Sequence, residues 1–164
     1  MTTNTMHPEI VLLLQVLDDG YDKKAWHGPN LKGVIRGLTA RQAAWRPNSL
    51  RRSIAEIVAH AAYWKYAVRR RLRGDKRGSF SLKGSNWFPL PTPFDERTWA
   101  QYVALLDSEH RALRQAVAEF PRTKLHQTSP GSKLSNFKVI YGVACHDVYH
   151  AGQIRLLKRL QARV

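Results

Sequence analysis

The sequence predicts an all-α fold, a four-helix bundle with one long crossover connection. Four long segments place apolar residues at helical spacing, and no segment shows the alternation typical of a β-strand. A stretch rich in glycine and proline separates the second long segment from the third. With 164 residues the chain can bury a substantial core. We therefore expect one helical-bundle domain that spans residues 1–164.

The first helix is expected to begin at Pro8, because proline suits the first turn of a helix. Its apolar stripe consists of Ile10, Leu13, Leu14 and Leu17. A short helix from Pro29 to Leu38 is expected to follow. The capping-box spacing of Thr39 and Gln42 then predicts one further helical turn over residues 40–45.

The second long helix has clear start and stop signals. Ser53 and Glu56 have the S-x-x-E spacing of a capping box, and Gly74 marks the exit. One stripe of this helix holds Ile57, His60, Trp64 and Val68. Residues 75–94 contain two glycines and three prolines, so this segment is predicted to be a long connection without regular structure.

The third and fourth long helices are predicted over 95–120 and 135–161, with a loop between them. The inward stripe of the third helix is Trp99, Val103, Leu106, His110, Leu113, Val117 and Phe120. The inward stripe of the fourth is Val139, Val143, His146, His150, Ile154 and Leu157. Each stripe is apolar except for its histidines, and this places imidazoles inside the bundle.

Composition limits the classes of partner and of site. The chain has 27 Lys and Arg against 12 Asp and Glu, a net charge of +15, which favours anionic partners. No stretch approaches the roughly 20 apolar residues of a membrane helix, and no leader pattern is present, so we expect a cytoplasmic protein. The single cysteine, Cys145, excludes a Cys-rich zinc site, and we expect it to be a buried, inert thiol. A metal would need imidazole or carboxylate ligands.

Three histidines form a candidate metal site. His146 and His150 lie one helical turn apart on the same face, and His60 faces inward from the second long helix. Three neutral imidazoles suit zinc, nickel, iron or copper. A lone histidine on an apolar face is more often a core residue, and this interpretation is preferred for His60 alone. Three converging imidazoles without an acidic partner would be costly without a metal, so together they favour the metal site.

Other residues near this site have alternative roles. His110 could be a fourth ligand, a support for a ligand or a core residue, and the last two are preferred. His27 could face the mouth of the site, although loop packing fits it better. Trp64 and Gln153 lie one turn from His60 and His150 and are expected to line a pocket above the metal.

The residues around these histidines resemble the DinB-like family of damage-inducible proteins, which is grouped with YfiT-like metal-dependent hydrolases. The resemblance rests on the segment HAAYW from His60 to Trp64 and on HDVYHAGQI from His146 to Ile154. It covers most of the chain, including the long middle connection. It implies a DinB-type bundle, a three-histidine site for zinc or nickel, and frequent homodimers. It also implies kinship with transferases and isomerases that use low-molecular-weight thiols.

Two enzymatic functions remain open from the sequence. A three-histidine metal can lower the pKa of bound water to about 7 for hydrolysis, or it can bind a thiol as the nucleophilic thiolate. The sequence therefore predicts a metal-dependent hydrolase or a thiol-dependent transferase. The high positive charge favours a small anionic substrate.

Two non-enzymatic functions remain as alternatives. The first is a nucleic-acid-binding module, carried by a basic run and two arginines before it: Arg69, Arg70, Arg71, Arg73, Lys76 and Arg77, with Arg51 and Arg52. No helix-turn-helix, zinc-finger or RNP signature accompanies this charge, and basic residues at a helix C-terminus also complement its dipole. The second alternative is a metal-binding regulatory protein without turnover.

Overall fold

A computed structural model describes residues 7–162 of the chain. This part contains six α-helices and no β-strand, which confirms the all-α prediction. The helices are α1 (Pro8–Tyr21), α2 (Leu31–Ile35), α3 (Ala40–Ala44), α4 (Ile54–Arg73), α5 (Glu96–Ala118) and α6 (Asn136–Gln161). A 3₁₀ turn covers Arg122–Lys124. None of the helices within residues 7–162 combines the length and apolar character that crossing a membrane requires.

Side chains cap the starts of α2 to α6 and so define where these helices begin. Both hydrogen bonds of the capping box are present at Thr39 and Gln42 and again at Ser53 and Glu56, as the sequence predicts. Such caps each stabilise a helix by about 1 kcal/mol, because they satisfy backbone N–H groups that have no partner within the helix. Gly74 ends α4 with a φ of 74°, a conformation that glycine adopts without strain.

Helix α2 is shorter than the helix predicted over residues 29–38. Its start is set by Asn30, whose side chain accepts a hydrogen bond from the backbone N–H of Gly33 at 2.8 Å. It ends before Arg36, where the backbone turns to an extended conformation. The predicted start at Pro29 was wrong by two residues because the Asn30 cap, and not the proline, begins the helix.

The four long helices pack together in an arrangement compatible with a four-helix bundle. Helix α4 contacts both α5 and α6, and α1 contacts α6 and α5. All residues from Ile54 to Ala62 are buried, so the N-terminal half of α4 is surrounded by protein on every side. This central position brings His60 to the interior, opposite α6.

Helices α1 and α6 approach closely at one glycine. A Cβ atom on Gly20 would lie 2.9 Å from the backbone oxygen of Ala144 on α6. That distance is shorter than real Cβ contacts, and the obstacle is backbone, which cannot rotate away. The absence of a side chain at Gly20 therefore sets the spacing between α1 and α6.

The connection between α4 and α5 contains no helix or strand, as predicted for residues 75–94. Phe88 anchors it in the core with an exposure of only 2%. Its ring contacts those of Tyr63 and Phe80 at centroid distances of 5.6 and 5.3 Å. The anchored connection passes over α4 and brings Asn86 and Trp87 against His60.

Candidate metal centre

The structure brings the side chains of His60, His146 and His150 together between α4 and α6. The Nε2 atom of His146 lies 3.1 Å from Nε2 of His60 and 3.0 Å from Nε2 of His150. One nitrogen from each of the three rings lies within 4.8 Å of the other two. His60 and His150 are buried and His146 is half-buried, so the cluster is largely shielded from solvent.

The outer nitrogen of His60 is held by the α4–α5 connection. Its Nδ1–H donates a hydrogen bond of 2.8 Å to the backbone carbonyl of Asn86. The ring also stacks on Trp87, with centroids 3.9 Å apart and an angle of 7° between the planes. Because Nδ1 carries the proton, the lone pair of His60 is on Nε2 and points at the other two histidines.

The outer nitrogen of His150 is held in a comparable way by a side-chain amide. The Nε2 of Gln153 donates to the hydroxyl of Tyr149 at 2.9 Å, which leaves its Oε1 free to accept. Nδ1–H of His150 then donates to this oxygen at 2.7 Å. His150 therefore also directs the lone pair of its Nε2 inward.

The Nε2 lone pairs of His60 and His150 both point at His146. The single Nε2 of His146 cannot donate a full hydrogen bond to both of them. A proton on Nε2 of His146 could be shared with either neighbour, and the buried Nδ1 of His146 has no hydrogen-bond partner among the described residues. Nitrogens bound at about 2.0–2.1 Å to one tetrahedral ion lie about 3.3 Å apart, close to the observed separations. The cluster is able to hold a divalent metal ion.

The electrostatic environment keeps these imidazoles in the form that binds metal. Burial is the largest of the causes that lower the pKa of His146 to about 3, and the proximity of His150, His60 and Lys65 contributes to the same shift. Burial also lowers the pKa of His150 to about 4, although the hydrogen bond with Gln153 acts in the opposite direction. The pKa of His60 is lowered by burial as well. All three rings are neutral at pH 7 and offer lone pairs.

A cavity of about 810 Å³ opens in front of the three imidazoles. One part of its wall is apolar and consists of Leu50, Ile57, Leu156, Leu157 and Leu160. Another part carries Arg51 and Arg52, both exposed, while Gln153 and Trp87 lie beside the histidines. Among the described residues, no Asp or Glu lines this cavity.

The other predicted pocket residues occupy different places. Gln153 lines the cavity and orients His150. Trp64 contacts the edges of His60 and His146, with ring centroids 6.4 and 6.5 Å away, but it lines two neighbouring cavities and not this one. His27 is exposed in the connection between α1 and α2 and does not line the cavity.

His110 belongs to a separate buried cluster. Its ring stacks on Tyr21 at 3.9 Å, and its Nδ1 accepts a hydrogen bond of 3.3 Å from Lys65. Burial, together with the neighbouring charge of Lys65, lowers the pKa of His110 to about 2. Lys65 also pairs with Asp147, the residue after His146, and both side chains are fully buried. Asp147 therefore packs against α4.

A second group of potential metal ligands is stabilised by an arginine of the same chain. Asp18, Asp22 and His110 also bring ligand atoms within 4.8 Å of one another. Arg114, however, donates to both carboxylate oxygens of Asp18, at 2.7 and 2.9 Å. This guanidinium already supplies the positive charge that the carboxylate requires.

Two other side chains near the histidines can be assigned. Cys145 is exposed, so the expectation of a buried thiol was wrong: position 145 lies on the outer face of α6. Glu56 caps α4 and binds Arg46 and Arg52, at 2.9 and 3.0 Å. Burial would raise the pKa of Glu56, but its hydrogen bonds with Ser53 and Arg52 and the charge of Arg46 outweigh this and lower it.

Sequence reasoning missed the groups of the long connection that support His60. Asn86 acts through its backbone carbonyl, and any residue would offer the same atom. The one available signal was that asparagine tolerates a positive φ, and Asn86 has a φ of 64°. Nothing in the local pattern predicted that Trp87 stacks on an imidazole.

Comparison with protein families gives one match. The profile of the DinB superfamily matches residues 25–154, a segment that includes all three clustered histidines. No curated protein and no solved structure matches the chain significantly. Since the match covers well over half of the sequence, the chain belongs to the DinB superfamily.

Proposed function

We propose that this protein is a metal-dependent enzyme whose ion, zinc or nickel, is held by His60, His146 and His150. The observation that carries the proposal is the orientation of the rings. The protons on Nδ1 of His60 and His150 are committed to Asn86 and Gln153, so both Nε2 lone pairs converge on His146. Without a cation, one proton on Nε2 of His146 can satisfy only one of these two lone pairs at a time, whereas a bound ion would interact with all three nitrogens.

Three nitrogen ligands leave part of the coordination sphere open, as in catalytic zinc sites, whereas structural zinc sites are closed by four protein ligands. Glu56 and His110 are both engaged elsewhere, Glu56 with arginines and His110 with Lys65 and Tyr21. Neither is available as a fourth ligand. A bound ion would supply a Lewis-acid centre that favours the deprotonated form of water or of a thiol.

The cavity fits a small substrate with both an anionic and an apolar part. Its volume of about 810 Å³ lies in the usual range of roughly 300–1,000 Å³ for small-molecule sites. Arg51 makes no ion pair among the described residues, and it can bind a carboxylate at the rim. The leucines of α6 offer an apolar surface beside it.

The chemistry of the cavity favours a low-molecular-weight thiol over water as the nucleophile. Water needs a base to accept its proton, and zinc hydrolases often use a carboxylate for this. No carboxylate among the described residues lines the cavity. A thiol, with an ordinary pKa near 8.5, needs much less assistance. We therefore infer a thiol-dependent transferase, with hydrolysis as the competing outcome.

Cobalt substitution tests this function directly. Metal-free protein is loaded with cobalt(II), and absorption is recorded while glutathione or cysteine is added. We expect a new near-ultraviolet charge-transfer band from sulfur bound to cobalt, together with thiol-dependent consumption of a carboxylate-bearing electrophile. Metal-dependent ester hydrolysis without thiol would replace the transferase by a hydrolase. If the protein shows no charge-transfer band and no turnover, a regulatory role in metal binding would replace the enzymatic one.

Two arginine variants test the anionic substrate. Arg51→Gln should raise KM for the carboxylate-bearing electrophile by about tenfold, the effect of losing one charge-assisted hydrogen bond. Arg36→Gln is the matched control, because Arg36 is exposed and does not line the cavity. Equal effects of the two substitutions would show that only the overall charge matters.

We also propose that the protein forms a homodimer through the outer face of α6. Four apolar side chains on this face are exposed by 37% to 62%, namely Tyr141, Tyr149, Leu156 and Leu160. Three of them line the rim of the cavity, so a second copy would also narrow its mouth. Light scattering should give a dimer for the parent and a monomer for Leu156→Asp, while Leu12→Asp on α1 stays dimeric. A monomeric parent would contradict the proposal.

A further inference from the structure

A second cavity, of about 420 Å³, lies beside the C-terminal half of α4 and the first part of the α4–α5 connection. Four cationic side chains line it: Arg70, Arg71, Arg77 and Lys83. No acidic side chain of the described residues does. The volume lies in the range of roughly 300–1,000 Å³ that small-molecule sites occupy.

The structure divides the basic run of the sequence into two groups. Arg69 donates to Glu109 at 3.1 Å, and Arg73 lies 3.9 Å from Glu119. These two side chains point to α5 and stabilise the packing of α4 against it. Arg70 donates to the backbone carbonyl of Asp75 at 3.0 Å, which leaves its charge uncompensated. Which arginines pair with α5 and which line the cavity depends on their positions around α4. The basic run in the sequence did not by itself predict this.

The remaining cations of the cavity have no internal counter-charge. Arg71, Arg77 and Lys83 make no ion pair with any described residue. Because none of these three cations has a counter-charge within the described residues, an anion from outside the chain would be stabilised in the cavity.

Aromatic rings form another part of the wall. Tyr63, Trp64, Tyr66 and Phe80 line the cavity, and Phe80 contacts the rings of Tyr63 and Tyr66 at 5.4 and 5.2 Å. The hydroxyl of Tyr66 accepts hydrogen bonds from the backbone N–H and the hydroxyl of Ser79, at 3.2 and 3.3 Å. These bonds fix the connection over α4 and so preform the cavity.

We propose that this cavity is a second ligand site that binds a phosphate ester of a ring compound, such as a nucleotide. Arginine guanidinium groups match the geometry of phosphate oxygens, and the aromatic wall offers a surface for a flat ring. Trp64 lines this cavity and also contacts the rings of His60 and His146, whereas the three clustered histidines do not line it. Nucleotide binding therefore does not depend on the metal.

Calorimetric titration of the full chain with AMP, adenosine and inorganic phosphate tests the proposal. AMP should bind saturably and more tightly than either of its parts. Arg77→Gln should weaken AMP binding by at least about tenfold, because one charge-assisted hydrogen bond is lost. Lys76→Gln, which removes a neighbouring charge outside the cavity, should change it by no more than about twofold.

Two further measurements keep the test decisive. Arg77 is exposed, so its replacement should leave the helical circular dichroism and the metal content unchanged. A single-stranded oligonucleotide that competes with AMP and loses affinity through Arg77→Gln alone would identify a strand as the source of the nucleotide. Equal losses from Lys76→Gln and Arg77→Gln, binding of adenosine as tight as that of AMP, or no binding of AMP would overturn the proposal.

Discussion

His60 and Asn86 are joined by a hydrogen bond of 2.8 Å from the imidazole Nδ1–H to the backbone carbonyl of Asn86. Asn86 lies at a φ of 64°, in the left-handed region. The long connection therefore selects the tautomer of a histidine in the middle of α4. The side chain of Asn86 also accepts a hydrogen bond of 3.0 Å from Trp64, which ties the connection to α4 at a second point.

Replacement of Asn86 should test this support. Asn86→Val places a β-branched residue at a positive φ, so the backbone should shift and its carbonyl should leave His60. We expect zinc affinity to fall by about 10–100-fold, the usual effect of losing a group that orients a metal ligand. Asn86→Gly is the control, because glycine keeps the backbone conformation and should retain most of the affinity. Equal affinity of the valine variant and the parent would refute the role of Asn86.

The buried His110 should make the metal-free protein sensitive to acid. Its pKa in the fold is about 2, below the value near 6.5 of an unfolded chain. The unfolded state therefore binds a proton between these values that the folded state does not. Stability from this group is complete above pH 6.5 and is lost as the pH falls towards 2.

His110→Gln should therefore flatten the dependence of unfolding free energy on pH. Between pH 4 and 5.5 the slope should decrease by about 1.4 kcal/mol per pH unit, the value for one proton. Urea unfolding of metal-free protein at several pH values measures it. His27→Gln, which removes an exposed histidine, should leave the slope as in the parent. An unchanged slope in His110→Gln would show that His110 is not held neutral by burial.

A methyl group at Gly20 should separate α1 from α6. The added Cβ would lie 2.9 Å from the backbone oxygen of Ala144, so Gly20→Ala should destabilise the fold by about 1–3 kcal/mol. Gly142→Ala is the matched control within α6, because no atom lies within 4 Å of its added Cβ. It should be neutral or stabilise by up to about 1 kcal/mol, since alanine favours helix. Thermal unfolding of the two variants should shift in opposite directions or by clearly different amounts.

The sequence predicted the helices and the three clustered histidines because both follow from local rules. Helical spacing places His146 and His150 on one face, and the capping box at Ser53 fixes the start of α4, whose apolar stripe includes His60. The convergence of these faces follows once α4 and α6 pack together. The outer face of α6, where Cys145 is exposed, was misjudged because the pattern alone does not show which elements cover a helix.

Groups that act through tertiary structure could not be predicted. Lys65 and Asp147 form a fully buried ion pair between α4 and α6, although each residue by itself is of a type expected at the surface. Their pairing depends on the relative position of the two helices. The same reason applies to Trp87, which reaches His60 through a long connection without periodicity.

The central claim is that His60, His146 and His150 bind one divalent ion. Titration of metal-free, untagged protein with zinc in competition with a chromogenic chelator measures both the number of ions and the affinity. The parent and His126→Gln, which lacks an exposed histidine outside the cluster, should each bind one zinc per chain. His146→Ala, which removes the histidine whose Nε2 lies 3.1 and 3.0 Å from its two neighbours, should bind none stoichiometrically while keeping its helical content. Failure of the parent to bind zinc or nickel, or binding by His146→Ala as tight as that of the parent, would contradict the account.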